Sequence, residues 1–581
     1  MLLMILVLFA AFAEVVSLGS VLPFIGILMS PDRAFKIRIV AGFAHMLGVS
    51  SPRDLVLPFT IAFVVAAIIA GAIRQLQLWV SIRLAFAMGA DLGIDVYRRT
   101  LYQPYRVHVA LNSSEVISVI TSKVSDTVTV LTQMMMLVSS LVMLVTITLA
   151  LLVIDPLVAL LATAGFGASY GVIMWTSRRK LRLNSQRIAR EQTATIKAVQ
   201  EGLGGIRDVL LDGTQPIYCD IYRRADYPLR RAQGANMYVS TSPRFALETL
   251  GMIVIAALTY GLSLQSGGLA AALPVLGALA VGAQRLLPAL QQGYNAWSSV
   301  ASCEASVAKT IELLDQPLPA ELLLPPDRAL DFKESIRFDR VRFRYVSDGP
   351  WVLDELNFTI RKGGRVGIVG ITGSGKSTTL DVLMGLLIPT EGKLLVDGEP
   401  LNGNRIRAWQ RSIAHVPQTI YMADTTLAEN IAFGVPHDAI DLQRVQQAAR
   451  QAQIAEFIEN LPEGYETCVG ERGIRISGGQ RQRIGIARAL YRQASVLIFD
   501  EATSALDNAT ERSVMDGIDT LDRDLTIVLI AHRLTTVTRC DTIIELQGGR
   551  LVAQGTYDQL VESSPSFRSM AQRLPDLNRT Q

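Results

Sequence analysis

Two rhythms of hydrophobic and polar positions divide this 581-residue chain near its middle. Before about Val300 the apolar residues come in long, nearly unbroken runs. After Asp327 they come in short β-branched runs separated by helix-period stretches. A bilayer core of about 30 Å needs roughly 20 mostly apolar residues in a helix. Six segments meet that requirement: residues 1–29, 55–80, 128–154, 157–175, 245–264 and 269–300. The pattern predicts an α-helical, six-span transmembrane domain over residues 1–310, a linker over 311–328 and an α/β domain over 329–581. The four prolines between Leu314 and Arg328 mark the linker.

The first apolar run has a second reading, because Ala10-Ala11-Phe12-Ala13 resembles a signal cleavage site. No basic residue precedes the run, however, and it continues past Glu14 to Ile27, which favours a span. Lys and Arg in the connections set the orientation. Arg83, Arg98, Arg99, Arg106 and Lys123 follow span 2, and twelve basic residues lie between Arg178 and Arg231 after span 4. Both segments are therefore expected in the cytoplasm, as helices that continue into water and turn back near Pro104 and Gly213. The first connection, with Arg33, Lys36, Arg38 and Arg53, falls outside against this bias.

Composition adds exclusions. A formal charge of +3 is small for this length and argues against a nucleic-acid partner. Cys219, Cys303, Cys468 and Cys540 lie far apart with no CxxC pair, so neither a disulfide framework nor a zinc site is expected, only buried or inert thiols.

The chemistry is concentrated in the second half. A short apolar strand, residues 365–370, runs into Gly370-Ile371-Thr372-Gly373-Ser374-Gly375-Lys376-Ser377-Thr378. This is the spacing at which backbone N–H groups converge on nucleotide phosphates at a helix N-terminus. Lys376 adds a point charge, and the Ser377 hydroxyl suits Mg²⁺. A second strand, Val496-Leu497-Ile498-Phe499, ends in Asp500-Glu501. Its unbroken apolar run suits a strand buried on both faces. Asp500 is placed to hold Mg²⁺ through water, and Glu501 to polarise an attacking water. A third element, Ser477-Gly478-Gly479-Gln480, opens a helix with Ser477 as N-cap. It is a second anion site in a chain with one phosphate loop. A head-to-tail dimer, in which this loop reaches the γ-phosphate bound by another copy, resolves that mismatch.

These motifs resemble the ATP-binding cassette family, over all of the soluble half. The resemblance implies ATP and Mg²⁺ as cofactors and a second copy of the chain as partner. It implies that Tyr345 stacks on adenine, Gln418 senses Mg²⁺ and the membrane domain, and His532 contacts the γ-phosphate. Asp507, in Ser504-Ala505-Leu506-Asp507, is similar to the loop that crosses the dimer interface, and residues 467–473 (TCVGERG) to the segment that touches the membrane domain. Ile476 stands where the family usually has Leu, a modest packing change.

Six spans ahead of one cassette resemble the exporter branch, in the inner (plasma) membrane with the cassette cytoplasmic. An ATP-gated channel or regulator is the rival class. Within exporters, residues 14–28, Pro243-Arg244 and Arg285-Leu286-Leu287-Pro288 resemble the PglK-type flippases, which move lipid-linked oligosaccharides outward. Peptide, free-lipid and drug export remain the other readings. The chain starts almost directly in the first span, so the interfacial helix that usually precedes it is either absent or lost to truncation. Arg285 is costly within a span unless it lines a cavity or is paired with Glu248 or Glu14. It is expected either to contact an anionic cargo group or to form that ion pair. Phe35, Ile39, Phe43 and Leu47 form one helical stripe in the outer connection. This predicts an interfacial helix that either holds a lipid tail or covers the span ends.

Overall fold

The computed structural model describes residues 3–14, 16, 56–154, 156–263, 268–318, 328–501, 511, 513–516, 524–531 and 534–572. The chain divides into two compact units. One comprises Met1–Gln103 with Leu111–Pro317, and the other Pro104–Ala110 with Leu318–Gln581.

In the first unit the long apolar runs become helices. They are α1 (Leu3–Glu14), α2 (Val56–Leu101), α3 (Val124–Ile154), α4 (Pro156–Gly204), α5 (Gln215–Ser263) and α6 (Gly268–Leu314). Among the described residues, Val56–Leu101 and Ser113–Ala150 are each long and apolar enough to cross a membrane. Several helices outrun their apolar stretches. Helix α2 continues to Arg98 and Arg99 in its last turn, where cations oppose the negative end of the helix dipole. Pro104 then stops it and a short helix, Tyr105–Ala110, follows. Helix α4 ends at Gly204; after the short helix Ile206–Leu211, α5 opens with Pro216 in its first turn, where a missing N–H costs nothing.

Polar side chains tie these extensions together. Thr127 donates to Thr310 at 3.2 Å, Ser306 to the Asp126 carboxylate at 2.7 Å, and Asn184 to Asn236 at 2.7 Å. Tyr170, Leu247 and Tyr294 form an apolar knot between α4, α5 and α6, and the Tyr294 hydroxyl donates to the Val239 carbonyl at 2.9 Å.

The second unit is built on two sheets. A four-stranded antiparallel sheet has the order β2-β1-β4-β5, from β1 (Ser335–Phe343), β2 (Leu353–Arg361), β4 (Glu391–Val396) and β5 (Glu399–Pro400). A six-stranded sheet has the order β10-β9-β3-β8-β7-β6. Its strands are β3 (Arg365–Val369), β6 (Ile413–Val416), β7 (Val496–Asp500), β8 (Thr526–Ile530), β9 (Thr542–Gln547) and β10 (Arg550–Gly555). All its neighbours run parallel except β9 and β10. Successive side chains on a strand point to opposite faces. Val496, Ile498, Val528 and Ile530 therefore enter one core with β1 and β2, whereas Leu497, Phe499, Ile527 and Leu529 enter a second core under helices. That two-sided burial is why these strands read as unbroken apolar runs.

Candidate functional site

Ligands of open α/β sheets bind outside the carboxyl ends of the strands, and the candidate residues gather there. The loop after β3 leads into α7 (Lys376–Leu383). Gly370 is needed for a close approach: a Cβ there would lie 2.2 Å from the Leu546 carbonyl oxygen and 2.6 Å from Ser374 Oγ. The loop is closed on itself by Ser374 N donating to Ile371 O at 3.1 Å. The turn between β9 and β10 braces it from behind, with Gly549 N donating to Ser374 O at 3.1 Å. Lys376, only 6% exposed, donates from Nζ to the carbonyls of Gly370 at 2.7 Å and Ile371 at 3.2 Å. Burial lowers the pKa of its ammonium, against the opposing pull of Glu501 and Asp500.

Ser374 Oγ is buried with no hydrogen-bond partner among the described residues. An orphaned hydroxyl beside a cationic, amide-lined loop fits a phosphate oxygen as its missing partner. Tyr345 comes to the same place, its hydroxyl 3.4 Å from Thr378 Oγ1 and its ring edge-on to Phe343.

Strand pairing assembles the acid side. Val416 at the end of β6 is in register with Phe499 of β7. The residues just beyond those ends meet, with Gln418 Nε2 donating to Glu501 Oε2 at 2.7 Å. Glu501 N donates to Ile530 O at 3.1 Å, and Glu501 holds φ +52°, a left-handed conformation that costs a non-glycine residue about 1–3 kcal/mol. Asp381 on α7 is half-buried, and burial first, then the Asp500 charge, pushes its pKa up to about 6.

Among the described residues no group of three His, Cys, Asp or Glu side chains could hold a metal. The oxygens of Ser377, Gln418 and Asp500 nevertheless suit Mg²⁺, which keeps waters and shares nucleotide phosphates rather than demanding an all-protein cage. The Gln418 amide spends its N–H on Glu501, which leaves its carbonyl oxygen for that purpose.

The third motif opens a helix of its own. Ser477 caps α8 (Gly478–Tyr491) in a reciprocal box with Gln480: Ser477 N donates to Gln480 Oε1 at 2.8 Å, and Gln480 N to Ser477 Oγ at 3.3 Å. The Gly478 and Gly479 amides belong to the helix's unbonded first turn. Among the described residues, no hydrogen bond joins Ser477, Gly478, Gly479 or Gln480 to the loop of Gly370, Ile371, Thr372, Gly373, Ser374, Gly375, Lys376, Ser377 and Thr378. Ile476 packs partly buried against the helical-side core. His532, Asp507, Phe35, Ile39 and Phe43 lie outside the described residues, as does the side chain of Arg285. Glu248 pairs with Arg244, one turn earlier on α5, at 2.8 Å.

Residues 353–504 match the family model for the ABC transporter, and residues 1–267 that for the ABC transporter transmembrane region. The chain is 32% identical over 415 residues to the ATP-dependent lipid A-core flippase of Alkalilimnicola ehrlichii, covering 70% of this chain and 68% of that one. This chain belongs to the ABC transporter family. Its fold is that of an exporter and its activity that of an ATPase-coupled translocase. A solved bacterial Atm1-family ABC exporter with ATP bound superposes with TM-score 0.78 at 26% identity, over 96% of this chain and 97% of that one. The leukotoxin translocation ATP-binding protein of Mannheimia haemolytica is 36% identical over 350 residues, 58% of this chain and 48% of that one.

Several features of this ABC transporter escaped the sequence reading. Asp381 carried no motif, and the Gly548-Gly549 brace had only the signal of a hairpin turn between two strands. Of the thiols expected to be buried or inert, Cys540 is buried, Cys303 partly buried, and Cys219 and Cys468 exposed. In the first unit a cavity of about 410 Å³ has Glu14, Arg74, Gln77, Ser81, Ser139 and Gln292 in its lining, among apolar side chains. Its signal was present: Arg74, Gln77 and Ser81 recur at i, i+3 and i+7 within an apolar helix.

Proposed function

We propose that this ABC transporter is a homodimeric flippase that moves a glycolipid with an anionic head group, such as a lipid-linked oligosaccharide, out of the cytoplasmic leaflet of the inner membrane. The observation that carries this reading is the 410 Å³ cavity among α1, α2, α3 and α6. Polar groups within a membrane bundle are costly and mark sites of function. Here amides and hydroxyls suit sugar hydroxyls, and Arg74 suits a phosphate. Gln77 donates to Ser139 across the cavity, Gln292 to Met136 Sδ at 3.4 Å, and Glu14 is only 6% exposed. Relatives named lipid A-core flippases support a lipid cargo.

In this reading six spans from each copy form the pathway. Arg285 contacts the anionic group, and the stripe of Phe35, Ile39 and Phe43 holds the lipid tail. Ser477 and its glycines complete the partner's nucleotide site, which accounts for the absence of a hydrogen bond to their own phosphate loop among the described residues. Glu501 polarises the attacking water, His532 contacts the γ-phosphate, Asp507 crosses the dimer interface and Tyr345 stacks on adenine. Ser377, Gln418 and Asp500 would hold Mg²⁺, which would supply neutralisation of phosphate charge.

Replacing both Gln77 and Ser139 by apolar residues (Gln77→Leu with Ser139→Ala) removes a hydrogen-bonded pair without orphaning either member, a nearly neutral change for folding. The glycolipid concentration for half-maximal ATPase stimulation should rise at least about tenfold, the equivalent of about 1.4 kcal/mol of lost binding. An unchanged half-maximal concentration would move the cargo toward a peptide, as in the leukotoxin relative.

A further inference from the structure

In the first unit, with a lining separate from that of the 410 Å³ cavity, the helical turns leading into α3 pack against the far halves of α4 and α6 and enclose a cavity of about 560 Å³. Seven charged side chains stand in its lining: Lys123, Arg182, Arg190 and Lys309 face Glu115, Glu304 and Glu312, four cations against three carboxylates. The carboxylates are already engaged. Glu304 lies 3.5 Å from Arg182, and Glu115 and Glu312 lie 3.4 and 2.9 Å from Lys309.

Lys123 is left over. It is 2% exposed, and its ammonium makes no direct hydrogen bond or ion pair among the described residues, although the charges of Glu115, Glu312 and Asp126 act on it, and it lines this cavity. A buried ammonium is costly unless paired. Asp126, the carboxylate nearest in sequence, accepts a hydrogen bond from Ser306 at 2.7 Å.

The backbone holds Lys123 there deliberately. It ends a five-residue π-helical turn, Val119–Lys123, an irregularity that concentrates at functional sites. Hydrogen bonds on both sides pin that turn, Thr193 to Ser118 at 3.2 Å and Thr127 to Thr310 at 3.2 Å. Arg190, exposed on α4, is a second cation of the lining with no ion pair among the described residues.

We propose that this cavity is a binding site for a phosphate group, anchored by Lys123 and Arg190. Its volume exceeds that of a bare phosphate and lies in the range of pockets that hold small organic ligands. The ligand class is therefore a phosphomonoester of sugar-phosphate size, or the head group of an anionic phospholipid. The site is independent of the transported cargo.

The test uses the full chain, free of nucleotide, in phosphatidylcholine nanodiscs, with binding of inorganic phosphate and of glycerol 3-phosphate measured by equilibrium dialysis. The nucleotide loop also takes phosphate, so variants separate the two sites. Parent protein should bind about two phosphates per chain, Lys376→Met and Lys123→Met about one each, and the double variant none, as expected for independent anion sites. Arg190→Gln, a surface change, should weaken the Lys376→Met background at least about tenfold, and Lys123→Arg should retain binding. Lys123→Met should also raise the Tm in the absence of phosphate, because a buried unpaired charge is gone. A purely structural lysine predicts the reverse, a lower Tm with phosphate binding unchanged, and that result overturns the proposal. If Lys376→Met binds neither soluble probe but gains a Lys123-dependent rise in Tm in phosphatidylglycerol nanodiscs, the phosphate is a lipid head group. No phosphate response that depends on Lys123 in either arm refutes the site.

Discussion

Replacing Gly485 by alanine should uncouple two parts of the nucleotide site. Gly485 is buried in α8, the helix capped by Ser477, and faces Ile420, two residues beyond Gln418. A Cβ on Gly485 would lie 2.2 Å from Ile420 Cδ1 and 2.9 Å from its Cγ1, against a normal carbon–carbon separation of about 3.5–4.0 Å. Ile420 is buried, so it has to leave its rotamer or push the segment that carries Gln418. Overpacking of this kind costs about 1–3 kcal/mol, and the helix preference of Ala over Gly returns about 1 kcal/mol. The net loss is about 0–2 kcal/mol, or a fall in Tm of up to about 8 °C for a domain of this size.

The decisive comparison is a double-mutant cycle. Ile420→Val removes Cδ1, the atom in closest conflict, so Gly485→Ala with Ile420→Val should be more stable than the sum of the single changes by about 1 kcal/mol or more. Chemical denaturation reads the stability, and the steady-state ATPase rate reads the placement of Gln418 against Glu501. Additive single changes would refute the argument from close approach.

Two further outcomes follow from the same site. Asp381 titrates near 6 in the folded chain, so the folded state binds more protons than the unfolded one between about pH 4 and 6, and stability falls as pH rises through that window. Asp381→Asn should therefore stabilise the nucleotide-free protein at pH 7.5 and leave it unchanged at pH 4. The ceiling of about 3 kcal/mol is reduced to about 1–2 kcal/mol by partial solvent screening, and a thermal melt at the two pH values checks it. Gly370→Ala, whose Cβ would strike the Leu546 carbonyl oxygen and Ser374 Oγ, should lose ATP binding in a fluorescent-nucleotide titration and cost about 2 kcal/mol or more of stability.

What the sequence made legible was local. The burial of β7 on both faces, the loop after β3 and the Ser477 cap are each written in a few adjacent residues, so periodicity and spacing suffice to find them. The exporter fold was legible for the same reason, since long apolar runs and a β/α alternation have few packed solutions. What stayed hidden depends on residues far apart in the chain. Nothing near Gly549 announces that its amide holds Ser374, nor does anything near Gly485 announce Ile420. The rise in Asp381's pKa needs burial under a sheet and the Asp500 charge together. Lys123 read as one more basic residue marking a cytoplasmic segment, because a π turn and the carboxylates around it leave no mark in hydropathy.

The central claim is that ATP turnover at Glu501 drives a glycolipid across the bilayer. The most direct test reconstitutes the parent protein and Glu501→Gln in liposomes carrying a fluorescent lipid-linked oligosaccharide and follows its movement between leaflets with ATP and Mg²⁺. The parent should move the lipid only with hydrolysable ATP. Glu501→Gln should bind ATP through the loop around Lys376 but hydrolyse and transport with rates reduced by about 10²-fold or more. Parent-like hydrolysis in Glu501→Gln, or hydrolysis by the parent with no directional movement of the lipid, would contradict the account.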